Sequence, residues 1–177
     1  MKKINIRTVA AIGMLVAIHI VLSRFCSINT WNMKIGFTFV PVFAAACLFG
    51  PVTAAIVGGL GDFLGAILFP IGPYFPGLTL NCALTGILFG LLLHRRQTLP
   101  RIMAATILNQ FGLSLFVTTL WISILYGSPY WANLVSRIPQ CIILSVLEVV
   151  VMFALSKVFS HQGRFFHLIQ AEVSHDR

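Results

Sequence analysis

Apolar residues run along this chain in long blocks, separated by short polar or proline- and glycine-rich stretches. A helix needs about 20 apolar residues to cross a bilayer. The first block covers residues 7–24, and residues 25–36 (FCSINTWNMKIG) read as a polar, aromatic loop. A second, short block covers 37–49 and ends at Gly50 and Pro51, a turn signal. The third, 52–69, is rich in small residues, with Ala54, Ala55, Gly58, Gly59, Gly61, Gly65 and Ala66. Residues 70–77 (PIGPYFPG) hold three prolines and two glycines, which excludes regular helix. A fourth block, 78–93, ends at His94, Arg95 and Arg96; a fifth covers 101–126 and a sixth 132–159. Residues 160–177 form a polar tail with a few apolar positions, suited to a surface helix. The pattern predicts an all-α membrane protein: a compact bundle of six transmembrane helices in one domain, 1–159, with a polar cytoplasmic tail, 160–177.

Composition narrows the class. Of the 177 residues, 58% are hydrophobic and 9% are charged, against roughly 25% charged in soluble domains. Such a chain cannot cover a water-facing surface with polar groups. The net charge of +8 invites a nucleic-acid reading, but the basic residues sit beside apolar blocks, where topology accounts for them. Lys2 and Lys3 before an apolar run resemble a secretory signal, yet Ser23, Arg24 and Phe25 offer no small-residue cleavage site, so an uncleaved first helix is expected. Cys26, Cys47, Cys82 and Cys141 form neither a CxxC pair nor a Cys/His ligand spacing, which argues against a disulfide framework and a metal site.

The charges also orient the bundle. Six spans put both termini on one side. Nine cations (Lys2, Lys3, Arg7, Arg95, Arg96, Arg101, Lys157, Arg164 and Arg177) then share that side, and three (Arg24, Lys34 and Arg137) lie opposite. Positive charge collects on the cytoplasmic face, so both termini are expected there. The outer three have no topological need. Trp31, Tyr74, Phe75, Tyr130 and Trp131 fall on the same outer side. Aromatic faces stack on a flat ring and arginine forks grip carboxylates, so this side is expected to hold a planar anionic molecule. The alternatives are an interfacial aromatic belt and arginines that snorkel.

Catalytic signatures do not emerge. There is no GxxxxGK[ST] phosphate loop, no HExxH and no GxSxG, and only Asp62 and Glu148 among the acidic residues fall within spans. No cofactor is expected. In-membrane polar groups need partners, because lipid supplies none. Asp62, Asn81, Asn109, Gln110 and Gln140 are candidates to line a cavity, with Asp62 equally suited to bonding a neighbouring helix. His19 and Glu148 are expected to pair as buried structural groups. Gly61-xxx-Gly65 and Gly86-xxx-Gly90 suit close helix packing. Ala10, Gly13 and Ala17 share one face of the first helix and suit either internal packing or a partner helix.

Leu22-Ser-Arg-Phe25, Phe49-Gly-Pro51, Gly61-Asp-Phe-Leu-Gly65 and Phe69-Pro-Ile-Gly-Pro-Tyr-Phe-Pro-Gly77, in that order, resemble the substrate-binding S components of energy-coupling-factor vitamin transporters, most nearly the folate-specific branch. The resemblance spans nearly the whole chain. It implies capture of folate or a related anionic vitamin from outside the cell membrane of a prokaryote. It also implies partners: a transmembrane T component and two cytoplasmic ATPases that supply the ATP hydrolysis, with no enzyme activity in this chain. Arg24 matches the branch's arginine after helix one. Gly13-xxx-Ala17 matches the family's AxxxA docking motif, with glycine for the first alanine. The expected ligand-binding set is Arg24, Trp31, Lys34, Asp62, Tyr74, Phe75, Asn81, Asn109, Gln110, Arg137 and Gln140. The competing readings are an autonomous carrier or channel using Asp62, Glu148 and His19 as a proton path, an S component for another vitamin, and a small membrane enzyme.

Overall fold

Prolines and glycines punctuate the chain where its helices begin and end. The computed structural model describes residues 6–29, 34–70, 74–94 and 97–175; the side chains of residues 7, 28, 29, 34, 35 and those from 159 onward lie outside that description. Six helices are formed among these residues: α1 (Ile6–Arg24), α2 (Phe39–Phe49), α3 (Pro51–Leu68), α4 (Pro76–Leu93), α5 (Leu99–Tyr126) and α6 (Tyr130–His175). Proline stands in the first turn of α3, α4 and α5, where a missing N–H costs nothing. Gly50 turns the chain from α2 into α3 with φ of 92°, a conformation that disfavours a side chain. Gly127 ends α5 in the left-handed conformation.

Two local features depart from the sequence pattern. The expected 25–36 loop contains a short antiparallel ladder of β1 (Ser27–Asn29) and β2 (Lys34–Gly36), with Ser27 opposite Gly36. Backbone groups outside a helix need partners, and here they find one another. Gly36 permits the approach, since a Cβ on it would lie 2.5 Å from Ser27 Cβ. The second departure lies in the middle of α5. Residues Leu108–Val117 wind as π-helix rather than α-helix, a geometry that recurs at functional sites.

The core is built around α2, which is apolar on every side; Phe39, Val42, Phe43, Ala44, Ala45 and Ala46 are all buried. Around it pack Val16, Val57, Phe89, Leu93, Ile102 and Met152. α3 and α4 meet backbone to backbone. A Cβ on Gly58 would lie 2.6 Å from the Cys82 carbonyl oxygen, one on Gly86 2.5 Å from Ala54 C, and one on Gly90 2.6 Å from Pro51 N. Gly86-xxx-Gly90 of α4 therefore serves close helix packing, as its spacing suggests, and Gly58 rather than Gly61 or Gly65 answers it on α3. Gly61 and Gly65 do something different. They receive side chains from α1, His19 over Gly61 and Arg24 over Gly65.

Among the described residues, four helices are long and apolar enough to cross a membrane: Pro51–Leu68, Pro76–Leu93, Leu99–Tyr126 and Tyr130–Val158. Their outward faces carry large exposed apolar residues such as Val52, Leu91, Ile124 and Val146. That surface suits lipid rather than water. α2, with 11 residues, rises about 16 Å, roughly half of a hydrocarbon core of about 30 Å. The sequence expects six spans; α1, with 19 residues, matches α3 and α4 in length, and among the described helices α2 is the short one.

Candidate ligand-binding cavity

Side chains from every helix, polar from all but α2, converge on one cavity of about 230 Å³ inside the bundle. α1 contributes His19, α2 Phe39 and Val42, and α3 Asp62; α4 contributes Leu78, Asn81, Cys82 and Thr85. The π-helical stretch of α5 supplies Asn109, Gln110 and Ser114, with Thr118 just beyond it. α6 supplies Arg137, Gln140, Leu144 and Glu148. Gly36 and Thr38, from the ladder and the turn after it, line the remainder.

The polar groups form two tiers. In one, Asn81 Nδ2 donates to Thr118 Oγ1 at 2.8 Å, and Arg137 donates to Thr119 Oγ1 at 3.4 Å. In the other, Thr85 Oγ1 lies 3.0 Å from both Asn81 O and Asn109 Oδ1, and Asn109 Nδ2 donates to Glu148 Oε1 at 3.1 Å. Thr118 links the tiers to the wide helix: its backbone N–H and its hydroxyl both reach the Leu113 carbonyl, the hydroxyl at 3.3 Å. The five-residue step from Thr118 back to Leu113 is the π-type bond. It lets this stretch of α5 present Asn109, Gln110, Ser114 and Thr118 to one cavity.

Burial makes these groups costly to leave unmatched. Arg137 is 3% exposed and Glu148 1%. Arg137 has a neutral hydroxyl for a neighbour, its Nε has no protein partner, and no carboxylate among the described residues pairs with it. Asn81 Oδ1 and Gln110 Oε1 are likewise buried without a protein partner. A buried cation and two buried acceptors facing a cavity are a preformed demand for a ligand with complementary groups.

Of the residues that the sequence nominates, Asp62, Asn81, Asn109, Gln110, Arg137 and Gln140 come together at this cavity. Asp62 also fills its second anticipated role, accepting from Thr79 of α4 at 2.9 Å. Arg24 sits elsewhere: its guanidinium lies against Gly65, and a Cβ there would be 3.0 Å from Arg24 Nε. Tyr74 and Phe75 are also outside the lining. Tyr74 packs edge-on against Phe63 at 5.8 Å and approaches Thr79, whereas Phe75 packs against Trp121 at 5.5 Å. Trp31 and the Lys34 side chain lie outside the described residues. His19, Thr85, Ser114 and Glu148 line the cavity without having been nominated as ligand-binding. His19 and Glu148 are in-membrane ionisable residues, and that property alone marks a functional position. Glu148 bonds Asn109 across the α5–α6 boundary, where the sequence suggested His19 as its partner.

A cavity lined by buried polar side chains and set among apolar, membrane-length helices defines a membrane protein that binds a small molecule. Residues 3–161 match the family model described as "ECF-type riboflavin transporter, S component". The chain belongs to this family of transporter S components. It is 32% identical over 159 residues to the folate transporter FolT of Clostridium novyi, covering 89% of this chain and 91% of that protein. Identity to the FolT of Leuconostoc mesenteroides is 23% over 168 residues, 90% of each chain. The fold matches the crystal structure of FolT bound with folic acid with a TM-score of 0.81 and 34% identity, covering 85% of this chain and 93% of that one.

Proposed function

We propose that this protein is the folate-capturing S component of an energy-coupling-factor importer in a prokaryotic cell membrane. The observation that carries this reading is Arg137: a buried guanidinium that faces a cavity and has no carboxylate partner among the described residues. A folate brings the missing carboxylates on its glutamate end and a flat, hydrogen-bonding pterin at the other. The names of the two relatives and of the folic acid complex support the same ligand, whereas the family model carries the name of riboflavin. Riboflavin has no carboxylate and would leave the guanidinium unmatched.

The wider assembly follows from family membership. Six helices cross the membrane with both termini in the cytoplasm, the short α2 being accommodated by packing inside the bundle. A transmembrane T component and two ATPases energise uptake. Ala10, Gly13 and Ala17 serve as the docking face on α1; all three are exposed, and nothing lies within 4 Å of a Cβ on Gly13.

Titration of the purified protein with folic acid, followed by tryptophan fluorescence, tests the ligand. Trp121 stands beside Phe75 and Gly77 at the start of α4 and reports on the bundle interior. Quenching that saturates by micromolar folic acid is expected. Saturation by riboflavin with no response to folic acid refutes the proposal.

A further inference from the structure

Arg137 and Glu148 stand eleven residues apart on α6. Eleven residues are close to three turns, so both project from one face of the helix, about 16 Å apart along its axis. They are nearly fully buried, and both line the cavity. Their neighbours divide by chemistry. Arg137 donates to the Thr119 hydroxyl. Around Glu148 stand two amides, Asn109, which donates to Oε1, and Gln110, whose side chain also interacts with the carboxylate; Glu148 Oε2 and Gln110 Oε1 are buried with no protein partner. The amide of Asn109 is already committed, its nitrogen to Glu148 and its oxygen to Thr85. Asp62 also faces the cavity, but it is only half-buried and takes the Thr79 hydroxyl. His19 lines the cavity from α1.

The geometry points to Glu148 as the residue that selects a pterin over a flavin and sets the direction in which the ligand lies. This inference rests on the folate reading and adds the basis of its selectivity. The pyrimidine edge of a pterin offers two adjacent donors, a ring N–H and an exocyclic amine. Two parallel donors match the two oxygens of a carboxylate. The corresponding edge of a flavin has one N–H between two carbonyl oxygens. Turned toward Glu148, those oxygens face a carboxylate, acceptor against acceptor. Selectivity then has both an attractive and a repulsive component. The glutamate end of the ligand extends along α6 toward Arg137.

Calorimetric titration of the wild-type protein with folic acid, 2-desamino-2-methylfolic acid and riboflavin tests this on the ligand side, with the protein's fold unchanged. The desamino compound keeps the glutamate and loses the exocyclic donor. We expect it to bind at least 100-fold more weakly than folic acid, as a buried polar group left unpaired requires, and riboflavin weaker again. In Glu148→Gln, folic acid should lose at least tenfold in affinity while the desamino compound binds both proteins alike. Equal binding of folic acid and the desamino compound to wild type overturns the inference and leaves the folate reading intact. An equal loss of both compounds in Glu148→Gln overturns it too, since that marks a structural role. Binding of riboflavin without binding of folic acid overturns the folate reading itself.

Discussion

Asn109 on the π-helical stretch of α5 donates its side-chain N–H to Glu148 on α6 at 3.1 Å, and its side-chain oxygen takes the Thr85 hydroxyl from α4 at 3.0 Å. One amide thereby ties three helices at the cavity wall. Asn109→Leu removes both bonds and leaves Glu148 buried without its donor. A loss of about 1–3 kcal/mol is expected for the stranded group, visible as a lower unfolding temperature in detergent. Because the two residues share a bond, Asn109→Leu with Glu148→Leu should destabilise by less than the sum of the single changes.

Arg137 should behave in the opposite sense. Its guanidinium costs desolvation in the ligand-free protein and has no carboxylate to offset that cost. Arg137→Met is therefore expected to leave the ligand-free unfolding temperature unchanged or raised. Folic acid should bind about tenfold to 150-fold more weakly, the range for losing a hydrogen bond to a charged group. Affinity for 6-hydroxymethylpterin, which lacks the glutamate, should stay within about threefold. A parallel fall for both ligands would remove Arg137 from the carboxylate end.

Two glycines should respond very differently to the same change. A Cβ on Gly86 would run into the α3 backbone, 2.5 Å from Ala54 C and 2.6 Å from Ala55 N. Gly86→Ala is expected to cost about 1–3 kcal/mol, the range for overpacking. Nothing stands within 4 Å of a Cβ on Gly13, so Gly13→Ala should stabilise α1 by about 0.5–1 kcal/mol through helix propensity. Thermal unfolding of both variants in one detergent decides the point.

The open surface around Gly13 also predicts a separation of binding from transport. Gly13→Trp and Ala17→Trp place bulk on exposed positions of α1, away from the cavity lining. Folic acid affinity of the purified variants should match wild type, while cellular folate uptake and co-purification of the partner subunits are lost. Uptake that persists in both would move the docking face elsewhere.

Thr118→Val examines the wide helix. Thr118 accepts from Asn81 at 2.8 Å and its hydroxyl reaches the Leu113 carbonyl at 3.3 Å. Valine keeps the shape and loses both contacts, leaving Asn81 with a buried donor unmatched. A roughly tenfold fall in folic acid affinity is expected, in line with about 1.4 kcal/mol for one net hydrogen bond, with helical content by circular dichroism unchanged.

Much of the cavity was legible along the chain because the bilayer makes polar residues conspicuous. Asp62, Asn81, Asn109, Gln110 and Arg137 stand out within apolar blocks, and lipid would leave each unsatisfied, so they had to turn inward. The same rule applies to Glu148 and His19, and following it without exception would have nominated them as well. Arg24 is a different case, its Nε also buried without a protein partner but outside the cavity lining. An arginine at a helix end beside small residues can reach a ligand or lie along a glycine groove, and the one-dimensional pattern is the same for both; here it lies over Gly65.

The order of apolar blocks and the prolines that open α3, α4 and α5 were enough to establish a bundle of apolar helices, and the glycine stripes that some helices pack closely, since each acts within a turn or two of its own position; which helices pair was not among them. The π-helical winding of Leu108–Val117, the pairing of Glu148 with Asn109 and the separation of Arg137 from any carboxylate arose only on folding. Those features depend on which side chains from distant helices share one buried volume. No local periodicity encodes that, because hydrogen-bond partners inside a membrane protein are chosen by three-dimensional proximity rather than by spacing along the chain.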